Sequence, residues 1–230
     1  MIVAFIPARG GSKRLPRKNI KMFAGQPLIG HSIALAHATK RIEECVVSTD
    51  DEEIARIAER YGADVIERPA ELAGDKSPTG AAAQHTLQVL RRRGSIATAL
   101  VTLQPNCPLR PRPLLESALD LFASDEVDSV VSVTASTHKL GKIVNSRFLP
   151  SYSPGTRSQD LESAYYENGL VYVSSPSLVL ETADLFGERI LPLVTDPMYA
   201  LGDIDTELDF QIAEFLFQQY RPHFAGAIAN

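Results

Sequence analysis

MIVAFIPARGGSKRLPRKN, residues 1–19, decides the fold: five apolar residues, Ile2 to Ile6, run without alternation into a glycine pair and a cluster of basic side chains. An apolar run of that kind marks a strand covered on both faces, as a parallel sheet between two helical layers requires. The pattern recurs at residues 45–48, 64–66, 99–103, 129–133 and 170–173, with segments of helical period between them. In one of these Asp50 and Glu53 form a capping box, Ile54, Ile57 and Ala58 an apolar stripe, and Gly62 a left-handed stop. Further helices are predicted over 79–93, closed by Gly94, over 111–123, and over 206–220 with Leu208, Phe210, Ile212, Phe215 and Leu216 facing the core. The expected fold is a three-layer α/β/α domain spanning residues 1–230, with a mostly parallel sheet. Residues 136–163 break the alternation with Gly141, Gly155, Pro150 and Pro154, and read as an insertion: a long surface loop, or a lid or subunit-contact arm.

Composition narrows the function classes. A chain of 230 residues, 44% hydrophobic and 22% charged, is long enough for one compact core. Its net charge of −5 argues against a surface built wholly for nucleic acid. Cys45 and Cys107 have neither CxxC nor Cys/His spacing, so no disulfide framework or zinc site is expected. The first apolar run has no basic segment ahead of it, and nowhere do 18 apolar residues run together. Secretion and membrane spanning are therefore not expected, and a reducing, cytoplasmic setting fits.

Against that acidic background the loop after the first strand stands out. Arg9, Lys13, Arg14, Arg17, Lys18 and Lys21 fall within 13 residues with no carboxylate among them, and setting them aside leaves 17 basic residues against 28 acidic. A concentrated positive loop calls for a polyanion. Gly10 and Gly11 let backbone N–H groups approach it, and the Arg9 fork and lysine point charges neutralise phosphate oxygens. Strand carboxyl ends are where open α/β sheets bind ligands. Neither a P-loop nor a GxGxxG dinucleotide signature is present, so the loop is a different phosphate-binding device.

The segments IPARGGSKRLPRKN, VVSTDDEEIA, RPAEL, LQPNCPLR, ENGLVYV and DIDTELDF, in that order, make the chain resemble the CMP-sialic acid synthetases, or acylneuraminate cytidylyltransferases, from Ile2 to about Gln218. The resemblance implies a nucleotidyltransferase-like α/β/α enzyme that joins CTP to a nine-carbon 2-keto sugar acid, releases pyrophosphate, uses Mg²⁺ and works as a homodimer. It places the triphosphate on Arg9, Lys13, Lys18 and Asn19, the first three also as catalytic groups, and the cytosine and ribose near Arg68, Ser77 and Thr79. It places the acceptor sugar near Gln104, Asn106 and Arg110, with Asn168, Gly169 and Tyr172 beyond, and Lys142 reaching from an arm toward a partner's site. After Asp75 the chain reads Lys-Ser-Pro-Thr where relatives more often have Thr-Ala-Ser-Ser, which loosens the carry-over for the base. Ser158 and Tyr166 stand where relatives often have arginine, with Arg157 as a substitute one position earlier. That departure points to an acceptor other than sialic acid, such as legionaminic or pseudaminic acid.

Asp203 and Asp205 lie two apart in an extended stretch, so both point the same way, a geometry that suits Mg²⁺ together with phosphate oxygens. Local sequence alone also fits Asp205 as the N-cap of the next helix; the resemblance favours both aspartates as metal ligands. None of the five histidines, His31, His37, His85, His138 and His223, is placed as a general base. Two rival readings stay open: a glycosyltransferase, which expects its DxD pair near mid-chain, and a catalytically silent nucleotide-binding protein on the same fold.

Overall fold

A computed structural model describes residues 1–124, 127–136 and 138–224. The strands are β1 (Ile2–Pro7), β2 (Met22–Phe23), β3 (Gln26–Pro27), β4 (Glu44–Thr49), β5 (Asp64–Glu67), β6 (Ala99–Thr102), β7 (Ser129–Ser136), β8 (Gly141–Val144), β9 (Arg147–Pro150), β10 (Ala164–Ser174) and β11 (Ile190–Thr195). The helices are α1 (Leu28–Ala38), α2 (Glu52–Arg60), α3 (Thr79–Arg92), α4 (Leu114–Ser124), α5 (Pro176–Thr182), α6 (Pro197–Ala200) and α7 (Glu207–Tyr220).

Seven strands form one sheet in the order β11-β7-β10-β6-β1-β4-β5. Only β10 runs antiparallel, to both β6 and β7; the other pairings are parallel. Because side chains alternate across a strand, β1 sends Ala4 and Ile6 to one core with Ile29 and Ile33 of α1, Ile54 of α2 and Leu115 of α4. It sends Val3 and Phe5 to the other, with Ala83 and Leu87 of α3 and Val179 of α5. The expected three layers are therefore present.

A third cluster packs Leu15, Phe23 and Leu28 against Ile204 and Phe210 and Phe217 of α7, which closes that helix over the basic loop. The face that α7 buries is not the one its sequence pattern predicts. Leu208, Ile212 and Phe215 are exposed, and the core-facing positions are Phe210, Ala213 and Phe217. The cap of α2 also moves by one residue: Asp51, not Asp50, accepts the N–H groups of Glu53 and Ile54, both at 3.0 Å.

The segment 138–163 is not a structureless loop. β8 and β9 pair antiparallel, joined by Asn145 and Ser146 at φ 49° and 62°, the double left-handed turn that matches strand twist. All eight residues of the two strands are exposed.

Candidate active site

The basic loop leaves the carboxyl end of β1 and is pinned to the start of α2. The Gly10 N–H donates to Asp50 Oδ1 at 3.0 Å. Arg17, in the left-handed region at φ 57°, donates to Asp51 Oδ2 at 2.7 Å and also pairs with Glu53. A Cβ at Gly10 would lie 2.7 Å from Asp51 Oδ2, so this approach admits only glycine; one at Gly11 would meet nothing within 4 Å. Asn19, buried, donates to the Arg9 carbonyl at 2.9 Å and fixes the return of the loop.

The loop faces a polar cleft at the carboxyl edge of the sheet, and most of the expected site residues meet there. Arg9, Lys13, Lys18 and Asn19 line one side, Arg68, Ser77 and Thr79 a second, and Gln104 and Asp205 a third. Arg68 is buried and donates from Nη2 to the Ser48 carbonyl at 2.7 Å and from Nε to Ser48 Oγ at 3.1 Å, so it is no ordinary surface arginine. Ser77 Oγ donates to the Glu71 carbonyl at 3.1 Å. Lys18 Nζ donates to Asp205 Oδ1 at 2.9 Å and to the Ile204 carbonyl at 2.7 Å, while Arg14 pairs with Asp205 Oδ2 at 2.7 Å.

Thr206, not Asp205, caps α7, in a reciprocal box with Asp209. That leaves the Asp205 carboxylate to Lys18 and Arg14 at the cleft wall. Asp203 accepts from Asn106 Nδ2 at 2.5 Å. Partial burial, then the nearby charge of Asp205, pushes the Asp203 carboxyl above the usual carboxylate range. Asp205 lines the cleft and Asp203 lies just outside its lining, and two interacting carboxylates two residues apart offer the hard oxygen donors that a divalent cation takes. Among the described residues no cluster of three or more acidic, histidine or cysteine side chains gathers there, so such a cation would draw its remaining ligands from phosphate and water.

The acceptor side differs from the sequence reading. Arg110 is almost wholly buried, so it supports the wall from beneath. Asn168 is buried at an irregularity in the β10–β7 pairing, its amide spent on Thr134 Oγ1 at 2.8 Å and Thr195 Oγ1 at 2.7 Å. Gly169 follows at φ 72° against the Cys107 thiol. Tyr172 lies below Gln104, whose Nε2 is 3.5 Å from its hydroxyl. Lys142 lies on the β8–β9 hairpin, and Arg157 is held by Asp160 at 2.6 Å; neither lines the cleft of its own protomer. Tyr166 is exposed on β10. Both cysteines are buried, which pushes their thiols up to about 12 and leaves them unreactive. His31 is held by the Phe23 carbonyl, and burial lowers it to about 4, which suits packing rather than proton transfer.

One residue of the cleft carries no sequence signal. Asp75 pairs with both Arg9 and Lys13, from a turn some sixty residues away in sequence.

Comparison with known proteins agrees with this architecture. Residues 3–153 match the family model described as cytidylyltransferase. The chain is 32% identical over 223 residues to the pseudaminic acid cytidylyltransferase of Campylobacter jejuni, covering 94% of this chain and 96% of that protein. It is 33% identical over 224 residues to the CMP-N,N'-diacetyllegionaminic acid synthase of Legionella pneumophila, covering 94% and 96%. It is 35% identical over 221 residues to the N-acylneuraminate cytidylyltransferase of Escherichia coli, covering 92% of this chain and 51% of that protein, so it spans about half the length of that relative. A solved CMP:2-keto-3-deoxy-manno-octonic acid synthetase complexed with CTP shares the fold, with a TM-score of 0.71 at 18% identity over 95% of this chain and 98% of that one. The chain is thus a nucleotidyltransferase by class, and it belongs to the cytidylyltransferase family.

Proposed function

We propose that this chain transfers the cytidylyl group of CTP to the anomeric hydroxyl of a nonulosonic acid, a nine-carbon 2-keto sugar acid, releasing pyrophosphate. The observation that carries the reading is the convergence of Arg9, Lys13 and Lys18 with Asp205, Arg68 and Ser77 on one cleft. Arg68 and Ser77, with Thr79 at the first turn of α3, would hold the base and ribose; Arg9, Lys13 and Lys18 would take the β- and γ-phosphates. These cations meet the charge that grows as pyrophosphate leaves, so positioning and electrostatics supply most of the rate. Asp203 and Asp205 would hold Mg²⁺, which neutralises the phosphate oxygens when bound. Gln104 would meet the acceptor sugar at the cleft wall, with Tyr172 beneath it and Arg110 holding its carbonyl, and Arg157 would act only if its segment closes over the sugar.

The partner of this chain is proposed to be a second copy. The β8–β9 hairpin presents Ile143, Val144, Phe148 and Leu149 to solvent, more apolar surface than two strands keep stable alone. In a homodimer those side chains are covered and Lys142 is carried toward the other protomer's acceptor side. The two buried thiols suit the reducing cytoplasm in which this reading places the enzyme.

The decisive experiment measures pyrophosphate release with Mg²⁺, crossing CTP, ATP, GTP and UTP against N-acetylneuraminic, legionaminic, pseudaminic and 3-deoxy-octulosonic acids. Release that requires CTP and one nine-carbon acid is expected, with Asp205→Asn slowing turnover while the melting temperature holds. Silence across the panel, with CTP still bound, would overturn the reading in favour of a silent binding protein.

A further inference from the structure

Asp75 has no part in the proposed transfer, yet its carboxylate sits in the cleft. It stands in the turn between the short 3-10 helix Ala70–Leu72 and α3, on the segment that also carries Ser77 and Thr79. Its Oδ1 meets Arg9 Nη1 at 3.1 Å and its Oδ2 meets Lys13 Nζ. One carboxylate thus offers two oxygens to two cations, the arrangement a phosphate group adopts between the same donors. The other acids around the loop have other duties: Asp51 caps α2, Asp205 pairs with Lys18 and Arg14, and Glu207 opens α7 and pairs with Lys21. Asp75 holds two of the three cations assigned to the triphosphate, and its side chain is 41% exposed at the cleft.

We propose that Asp75 is an internal anion that occupies the triphosphate cradle of the empty enzyme, yields to the nucleotide, and returns to Arg9 and Lys13 as pyrophosphate leaves. The inference rests on the cytidylyltransferase reading for the identity of the nucleotide, but requires only that Arg9 and Lys13 bind polyphosphate. Two consequences follow from the geometry. A ligand must offer Arg9 and Lys13 more charge than the carboxylate it displaces, so the cradle favours polyphosphates over singly charged anions. After reaction, the same carboxylate competes with the product for its site and shortens the stay of pyrophosphate. The hydrogen bond from Lys13, and then its charge with that of Arg9, holds the Asp75 carboxyl below the usual range, so the device stays charged at neutral pH.

The test titrates inorganic tripolyphosphate, without metal, into wild type, Asp75→Asn, Arg9→Ala and the double variant, by calorimetry. The substitution is at an exposed turn, and a thermal melt of each variant checks that it folds. Removing an exposed carboxylate from two ion pairs is expected to tighten tripolyphosphate binding by at least about three-fold, with less gain when Arg9 is also absent. In turnover, inhibition by added pyrophosphate strengthens by a similar factor. Wild type that binds tripolyphosphate with no gain, or a loss, in Asp75→Asn overturns this inference and leaves the cytidylyltransferase reading standing. Failure of wild type and variants alike to bind tripolyphosphate overturns the triphosphate cradle, and the inference with it.

Discussion

Arg110 shows how a charged residue can serve a site it does not touch. It is the largest fully buried side chain among the described residues. Its guanidinium donates to the Leu170 and Gln104 carbonyls at 2.6 Å each and to Ser32 Oγ at 3.0 Å, tying β10, the cleft wall and α1 together. Burial lowers its pKa to about 10, still cationic at neutral pH. Arg110→Met would leave two carbonyls and a hydroxyl unpaired, so a loss of about 2–4 kcal/mol in denaturant unfolding is expected. Because Gln104 loses its support, the acceptor KM is expected to rise more than the CTP KM. A variant as stable as wild type would show that the three acceptors find other partners. Such a residue is hard to read from sequence, where an arginine in a loop resembles a surface or ligand-binding group. Arg9, Lys13 and Lys18 are legible because they are neighbours on one short loop, and Asp75 is not because only the fold brings it across the cleft.

At the scale of elements, the N-terminus of α2 joins stability to the site. Asp51 caps the helix and receives Arg17, so it anchors the basic loop as well. Burial favours the neutral carboxyl, but bonds from Ile54, Arg17 and Glu53 outweigh it, and the Asp51 carboxyl is held below its ordinary range. A depressed folded-state pKa means that the stabilisation is complete above the unfolded value of about 3.9 and fades as pH falls through the folded one. Asp51→Ala is therefore expected to lose about 1–2 kcal/mol at neutral pH, with the gap from wild type narrowing in acid melts as pH falls below the ordinary carboxylate value of about 3.9. Asp51→Asn restores the cap but not the charge on Arg17, so it recovers stability more fully than nucleotide affinity. A gap that persists unchanged in acid would exclude Asp51 ionisation as its source. The sequence marks this helix start because Asp and Glu cluster there, though only geometry separates Asp51 from Asp50. It hides β11, where Pro192 interrupts an apolar run; at a sheet edge one ladder donor is dispensable, so the strand forms all the same. It misphases α7 because apolar residues lie on more than one side, and the inward set is decided by packing on Phe23 and Leu28.

At the scale of the whole molecule, the β8–β9 hairpin is the part that a single chain does not explain. Gly141 packs against the Phe148 ring, where any Cβ would collide, yet Ile143 is 79% exposed and Phe148 is 56% exposed. A hairpin shaped with that care and left apolar in water is built to be covered. If the cover is a second copy, Phe148→Asp is expected to shift sedimentation toward the monomer and to depress turnover, while the melting of the α/β core changes little. The role of Lys142 is then decided by mixing two defects. Lys142→Ala damages the arm and Asp205→Asn damages the cleft, so each homodimer carries the same fault in both sites. Coexpression makes mixed dimers in which one cleft, on the Lys142→Ala protomer, receives an intact arm from its neighbour. Random assembly makes half the dimers mixed with one sound site in each, so turnover near a quarter of wild type is expected from two almost inactive parents. Recovery no greater than the average of the parents would place Lys142 in its own protomer's chemistry or outside the site. Full turnover by Lys142→Ala alone would remove the lysine from the reaction and leave the arm only the task of holding the dimer together.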